Sequence, residues 1–409
     1  MASAGFAPGR TAAAWLQAPV WLCLILGVAV AIKTVHGPLK KTVYPVFAGG
    51  AQHWWADQPL YANHLDGTGG FRYSPAFAVF MTPFAWLDPA LGSTLWSWFN
   101  LAFCFFALRR LARDVLPGSW PPLRETAFMV LGLVGSVRCI WNAQANTLVI
   151  GLLMLAASGV VRRRWWAAAF CLAAAVLLKV SPIAVALLFI ALWPRRLAGR
   201  FALAMLVGLA VPFLTRPPAI VLDQYQGWIA QLTGSRDDRL PGLRDAWTIV
   251  VLGENLFRSE LDQAPFWAPI TDRGYRAAQL LAALAVGAWC LWQQRRGAST
   301  CCLLTATLAM GTAWLMLFGP ATEFPTFVLL APLTAWAMLD AFDRRRGQGL
   351  ATAAWFLTTL LPYFERTAPG VPLLLVALPV GTALFIFWLA VYSGREEETA
   401  GPAKLVTEG

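Results

Sequence analysis

Charge is what this sequence lacks. Of its 409 residues only 13% are charged, and Asp and Glu together number 21. A soluble domain carries about a quarter charged residues, so an ordinary water-soluble globule is excluded. No acid stands between Thr34 and Ala56. Histidine is scarcer still: His36, His53 and His64 are all there are. Their spacings of 17 and 11 residues match no local ligand motif, so a divalent metal is not indicated and no cofactor is expected. The seven cysteines lie in or beside apolar runs and avoid the long polar stretches, which argues against a disulfide framework or a Cys-based zinc site. Walker, dinucleotide-fingerprint and HExxH sequences are missing too. A transferase built this way would not draw on a soluble nucleotide sugar.

What is present is apolar. Hydrophobic residues make up 58% of the chain, in long stretches from Ala13 to Tyr392. That excess needs lipid as solvent, so the chain reads as an integral membrane protein. The net charge of +11 comes with arginines clustered at the ends of apolar runs. That placement reports membrane orientation rather than nucleic-acid binding.

The clusters set the topology. Arg109-Arg110 with Arg113, Arg162-Arg163-Arg164, Arg195-Arg196 with Arg200, Arg295-Arg296 and Arg344-Arg345-Arg346 mark cytoplasmic gaps. The chain crosses an even number of times between neighbouring clusters. Spans are expected near 13–33, 94–108, 125–138, 142–160, 165–180, 181–194, 198–214, 276–294, 299–318, 325–342, 350–364 and 371–392. The first is read as a retained span rather than a cleaved signal. Pro75–Leu87 is too short for the ~20 residues a crossing needs and would invert every later cluster if it crossed. It is expected as an interfacial or re-entrant helix, with Tyr44–Ala56 as a second. The result is an all-α polytopic fold of about 12 spans in one domain, residues 1–392. Its long outer loops are 34–93 and 215–275, both termini are cytoplasmic, and a polar tail, 393–409, is expected to be disordered.

Polar exceptions within this pattern point to chemistry on the outer face. Arg138 ends one span and is followed by Trp141-Asn142-Ala143-Gln144-Ala145-Asn146. Asn142 and Asn146, four apart, are expected on one helix face, where amides bind hydroxyls or pack helices. Lys179 stands between two apolar segments, where a mid-bilayer Lys costs roughly 2.5–3.5 kcal/mol on insertion scales. Arg138 and Lys179 could then share a cavity for a lipid-linked phosphate, or Lys179 could snorkel to the interface. In the first outer loop Arg72 could hold a phosphate, and Asp57 or Asp66 could deprotonate a hydroxyl. Asp57 could equally end a helix, and Asp66 before Gly67 suits a turn. Glu323 is the sole acid of a short outer turn. Arg236-Asp237-Asp238-Arg239 reads as a surface ion-pair cluster.

These pieces resemble a known family. Asp57-Gln58-Pro59-Leu60-Tyr61, Phe71-Arg72-Tyr73-Ser74-Pro75, Thr82-Pro83-Phe84, Asn142-Ala143-Gln144-Ala145-Asn146 and Leu178-Lys179-Val180-Ser181-Pro182 are similar, in order, to the motifs of glycosyltransferase family 87. The resemblance implies a GT-C membrane fold. It also implies transfer of a hexose, often mannose, from a polyprenyl-phosphate carrier to a lipid or glycan acceptor outside the plasma or inner membrane. Arg72, Arg138 and Lys179 would hold the donor phosphate. Tyr73, Asn142, Gln144 and Asn146 would bind sugar or acceptor. One position departs from the family: the Asp that opens its first interfacial helix falls near Val43 here. Either Asp57, Asp66 or Glu323 takes its role, or the chemistry differs, or the chain is inactive. A flippase for lipid-linked sugar and a noncatalytic partner subunit remain the competing classes.

Overall fold

The computed structural model describes residues 17–37, 39, 42–61, 70–234, 272–319, 324–367 and 373–392. Among the described residues the chain is helical throughout, with no strand. The expected tail 393–409, Asp66, His64, Glu323 and the Arg236–Arg239 cluster lie outside them.

The first helix, α1 (Ala18–His36), is followed by two short ones, α2 (Tyr44–Trp55) and α3 (Pro75–Ala85). At 11 residues α3 is only about 16 Å long, roughly half the hydrocarbon thickness. Its start is written locally. Ser74 caps it by accepting from the Phe77 N–H at 3.3 Å, and Pro75 fills the first helical position. The next helix, α4 (Pro89–Asp114), begins in the same way, with Asp88 accepting from Ala90 and Leu91 before Pro89.

Then come α5 (Pro122–Trp141), α6 (Asn146–Val161), α7 (Trp165–Leu178), α8 (Ile183–Leu192) and α9 (Pro194–Ala210), which a 3-10 turn extends to Leu214. After α10 (Pro218–Gly234), α11 (Asp272–Arg295) and α12 (Thr300–Phe318), a 3-10 segment, Phe324–Leu329, leads into α13 (Ala331–Asp343). The last two are α14 (Gln348–Trp355) and α15 (Leu373–Tyr392). Among the described residues, the expected spans fall mainly on helical segments, with the exceptions given below. Four stretches are long and apolar enough to cross a membrane by length and composition: Ala18–His36, Pro89–Asp114, Pro194–Leu214 and Thr300–Phe318.

Three local expectations change. First, Asn142 and Asn146 do not share a helix face. α5 stops at Trp141, Ala143 takes a left-handed conformation (φ 54°), and α6 starts afresh at Asn146. The Gln144 N–H reaches back to the Cys139 carbonyl, six residues to one, which closes the helix end. Second, the stretch 215–275, expected as a loop, begins with a helix, α10. Its Asp223, Gln224, Gln226 and Gln231 hide it from a search for apolar spans. Third, the expected span 350–364 is irregular. α14 passes into a π-helical turn, Phe356–Leu360, and then a 3-10 segment, Leu361–Thr367.

Packing follows membrane rules, with small residues where helices meet. A Cβ on Gly135 of α5 would collide with Ala331 of α13, and one on Gly151 of α6 would stand 2.6 Å from Phe103 of α4. The two interfacial helices dock on α4 through aromatic rings. Phe47 is fully buried, edge-on to Tyr73 at 4.9 Å, Phe77 at 5.1 Å and Trp96 at 5.9 Å. Edge-to-face pairs of this kind add about 0.5–1.5 kcal/mol each beyond burial.

Candidate functional site

The α5–α6 turn is held from three sides. Trp96 of α4 donates its indole N–H to the Ala143 carbonyl at 2.8 Å. The Val43 N–H donates to the Asn142 carbonyl at 3.0 Å, and Lys33 of α1 donates to the Trp141 carbonyl. The left-handed Ala143 costs about 1–2 kcal/mol in an L-residue, and these contacts over-determine it.

Behind the turn lies a buried amide cluster. Asn146, 5% exposed, donates through Nδ2 to Gln144 Oε1 at 2.7 Å and also approaches Thr326 Oγ1 at 3.5 Å. Its other end, Oδ1, accepts from Lys179 Nζ at 3.2 Å. Thr147 donates to Asn100 Oδ1 at 3.0 Å, and Asn100 donates to the Trp96 carbonyl at 2.9 Å. Every amide orientation is thus set by a partner, which matters because a half-satisfied buried amide costs about 1–3 kcal/mol.

Arg138, on the last turn of α5, faces aromatic neighbours. Its guanidinium lies over the Phe324 ring at 5.7 Å. Its Nε is buried and has no hydrogen-bond partner among the described residues. Tyr363 stands edge-on to Phe324 at 5.7 Å. Lys179 reaches Asn146, which approaches Thr326, and Arg138 lies over Phe324, so two cations 41 residues apart in sequence both border the Phe324–Leu329 segment.

The segment that leads into α3 docks on the end of α7. Ser74 Oγ donates to the Leu177 carbonyl at 2.6 Å, two residues before Lys179. Of its neighbours, Arg72 is exposed and Tyr73 half-buried. The Tyr61 hydroxyl donates to the Tyr73 carbonyl at 2.8 Å. Burial, with Tyr225 nearby, pushes the Tyr61 phenol well above its usual range, so it remains a donor. The α10 helix braces the same segment: the Leu60 N–H donates to Gln224 Oε1 at 3.0 Å, and Gly227 leaves room for the Tyr61 ring.

Asp57 stands elsewhere. It ends α2 in a left-handed conformation (φ 56°) and pairs with Arg216 at 3.1 Å. Arg216 also donates to the Trp54 carbonyl at 3.1 Å and lies 5.0 Å over Trp55. Asp57 is thus one helix length, about 18 Å, from Val43 at the other end of α2. The Val43 position itself touches the Asn142 turn.

The structure thus places Arg138, Asn142, Gln144 and Asn146 at the α5–α6 turn and joins Lys179 to Asn146; Tyr73 packs instead with Phe47 and Phe77. It adds Tyr363, Phe324, Thr326 and Asn100, which sequence reasoning missed. Asn100 carried a signal, an amide inside an apolar span. Tyr363 and Phe324 carried none, because aromatics are common at membrane boundaries. Among the described residues no three His, Cys, Asp or Glu converge as metal ligands.

No curated protein matches the chain. Among solved structures, ArnT from Cupriavidus metallidurans bound to undecaprenyl phosphate is similar at 11% identity and a TM-score of 0.49, with 91% of this chain and 77% of that chain covered. The model of glycosyltransferase family 87 matches residues 71–320, a stretch that runs from the Arg72 segment through the Arg138 and Lys179 turns. With more than half of its 409 residues matched, the chain belongs to glycosyltransferase family 87.

Proposed function

We propose that this membrane glycosyltransferase is of the GT-C kind and moves a hexose, mannose first, from a polyprenyl-phosphate carrier to a lipid or glycan acceptor. The observation that carries the proposal is that two cations border one segment, Lys179 through Asn146 and Thr326 and Arg138 over the Phe324 ring. A fixed pair of cations there suits an anionic leaving group.

In this mechanism the acceptor hydroxyl oxygen attacks the anomeric carbon. The bond from that carbon to the phosphate oxygen breaks, and polyprenyl phosphate departs with the bonding electrons. Arg138 and Lys179, with Arg72 at the rim, stabilise the charge that grows on the phosphate. Preorganised charges of this kind are worth about 10²–10³ in rate. In this reading Gln144, Asn142 and Asn146 orient the sugar hydroxyls, and Tyr73 contributes to binding of sugar or acceptor.

A carboxylate must take the acceptor proton. Glu323 is the preferred base, because it directly precedes Phe324, the ring beneath Arg138. Asp57 is committed to Arg216, and Asp66 is the remaining candidate. By the positive-inside rule the site opens on the extracytoplasmic side of the plasma or inner membrane, with both termini cytoplasmic.

The test is transfer of labelled sugar from polyprenyl-phosphate mannose by purified protein supplied with host lipids. Glu323→Gln should remove activity and Asp57→Asn should retain most of it. Full activity in Glu323→Gln would discard Glu323 as the base. One second reading has an observation behind it: Val43 where the family has its acid favours a noncatalytic partner subunit. Stable co-purification with another transferase, and no transfer from any carrier, would select that reading.

A further inference from the structure

We infer a second anion site, for a phosphate group, at the opposite end of the bundle. The α6–α7 turn, the α8–α9 junction and the start of α12 enclose a cavity of about 750 Å³ there. It is lined by Val160, Val161, Arg163, Trp165, Trp193, Arg196 and Thr300. Three helices, α7, α9 and α12, begin at its wall, at Trp165, Pro194 and Thr300. Helix N-termini bring partial positive charge, and here they accompany two full charges.

Part of the Arg-rich end is neutralised: Arg109 and Arg113 by Glu125, Arg110 and Arg162 by Asp114, Arg124 and Arg344 by Asp340. The two arginines that line the cavity, Arg163 and Arg196, pair with no carboxylate among the described residues. Two cations so placed and a lining of two Trp fit the phosphate of an anionic phospholipid headgroup: the rings suit headgroup depth and the guanidiniums fork onto phosphate oxygens.

Native mass spectrometry of the delipidated full-length protein, titrated with phosphatidylglycerol, phosphatidylcholine or inorganic phosphate, tests this. The variant is Arg163→Gly with Arg196→Gln; glycine keeps the left-handed turn at residue 163 (φ 58°) unstrained. Phosphatidylglycerol affinity should fall about tenfold or more in that variant. It should hold in Arg109→Ala/Arg113→Ala, which removes charges already paired. Displacement of the lipid by inorganic phosphate would identify a general phosphate site; resistance to it would identify the lipid headgroup. Equal retention of phosphatidylcholine, or unchanged affinity in the cavity variant, overturns the site.

A different observation supports a second inference, which rests on the proposed role of Arg138. We infer that Tyr363 is a positioning residue for Arg138. Its hydroxyl accepts from the Arg138 N–H at 3.1 Å and donates to the Val134 carbonyl at 3.0 Å. In a regular helix those two backbone groups bond each other, four residues apart. The Tyr363 hydroxyl therefore bridges both groups and competes with their own bond, a contact of the kind that loosens a helix locally. That turn carries Arg138, and the irregular stretch after α14 delivers the phenol.

In Tyr363→Phe the α5 bond loses its competitor, so the protein should be at least as stable, but Arg138 turns away. KM for the polyprenyl-phosphate donor should rise or kcat fall by about tenfold, with melting temperature held. In an Arg138→Ala background the same change should add nothing. Wild-type kinetics in Tyr363→Phe, with Arg138→Ala inactive, overturns the positioning role alone. Wild-type activity in Arg138→Ala removes the reading of Arg138 on which it rests.

Discussion

Arginine does different work at the two ends of this bundle. At the Arg-rich end six arginines are held by carboxylates among the described residues: Arg109, Arg110, Arg113, Arg124, Arg162 and Arg344. Asp114, 8% exposed, takes Arg110 at 3.0 Å and Arg162 at 2.9 Å, and accepts a third bond from Ser158. Asp340, 5% exposed, takes Arg344 at 2.8 Å. At the other end of α5, about 24 Å along by helix rise, Arg138 meets the Phe324 ring and the Tyr363 hydroxyl instead. The first arrangement spends its charge on tying helices together; the second leaves charge for an incoming anion. The difference teaches that the count of arginines says little about role, and that the partner says most.

That contrast can be broken by substitution. The largest effect is expected at the candidate site. Arg138→Ala or Lys179→Ala should cut transfer about 10²–10³-fold or more while the protein still reaches the membrane and keeps its melting temperature. Retained activity in either would erase the distinction between the ends. At the other end the signs should reverse. Asp114→Ala leaves two partly exposed arginines and a buried Ser158 hydroxyl without their shared acceptor, and should cost about 1–3 kcal/mol by thermal unfolding in detergent. Specific activity of the folded fraction should stay near wild type.

A smaller change sharpens the site itself. Ala143→Gly removes left-handed strain and should stabilise the protein by about 0.5–1 kcal/mol, provided Trp96 still holds the turn. A loss of activity with that gain would show that the rigidity of the turn serves catalysis. Least affected should be Arg109→Ala. Arg109 is 51% exposed and its bond to Glu125 is shared with Arg113, so a change within about 0.5 kcal/mol is expected.

Much of this was legible without coordinates. Helix positions followed from the apolar runs, because every backbone group in lipid must be satisfied within a helix. The caps of α3 and α4 were written as Ser74-Pro75 and Asp88-Pro89. The short α3 was predicted from length and from parity of the Arg clusters. Arg138, Lys179 and the amides stood out because polar groups in an apolar run are costly and need a reason. Residues that work through geometry were less visible. The break at Ala143 has no glycine to announce it, and its cause, the Trp96 indole, is 47 residues away. Asp57 looked like a free acid because its partner Arg216 is 159 residues further on.

The sequence alone determined that this chain lives in a membrane, where its helices run, and which polar side chains are out of place in lipid. These are one-dimensional properties, set by transfer cost residue by residue. Only the tertiary structure decided which of them meet. It joined Lys179 to Asn146 and Arg138 to Phe324, set the Tyr363 hydroxyl against α5, and placed Val43 against the Asn142 turn. Such contacts depend on helix packing and on where each turn breaks, and both are settled by the summed fit of distant residues rather than by any local stretch.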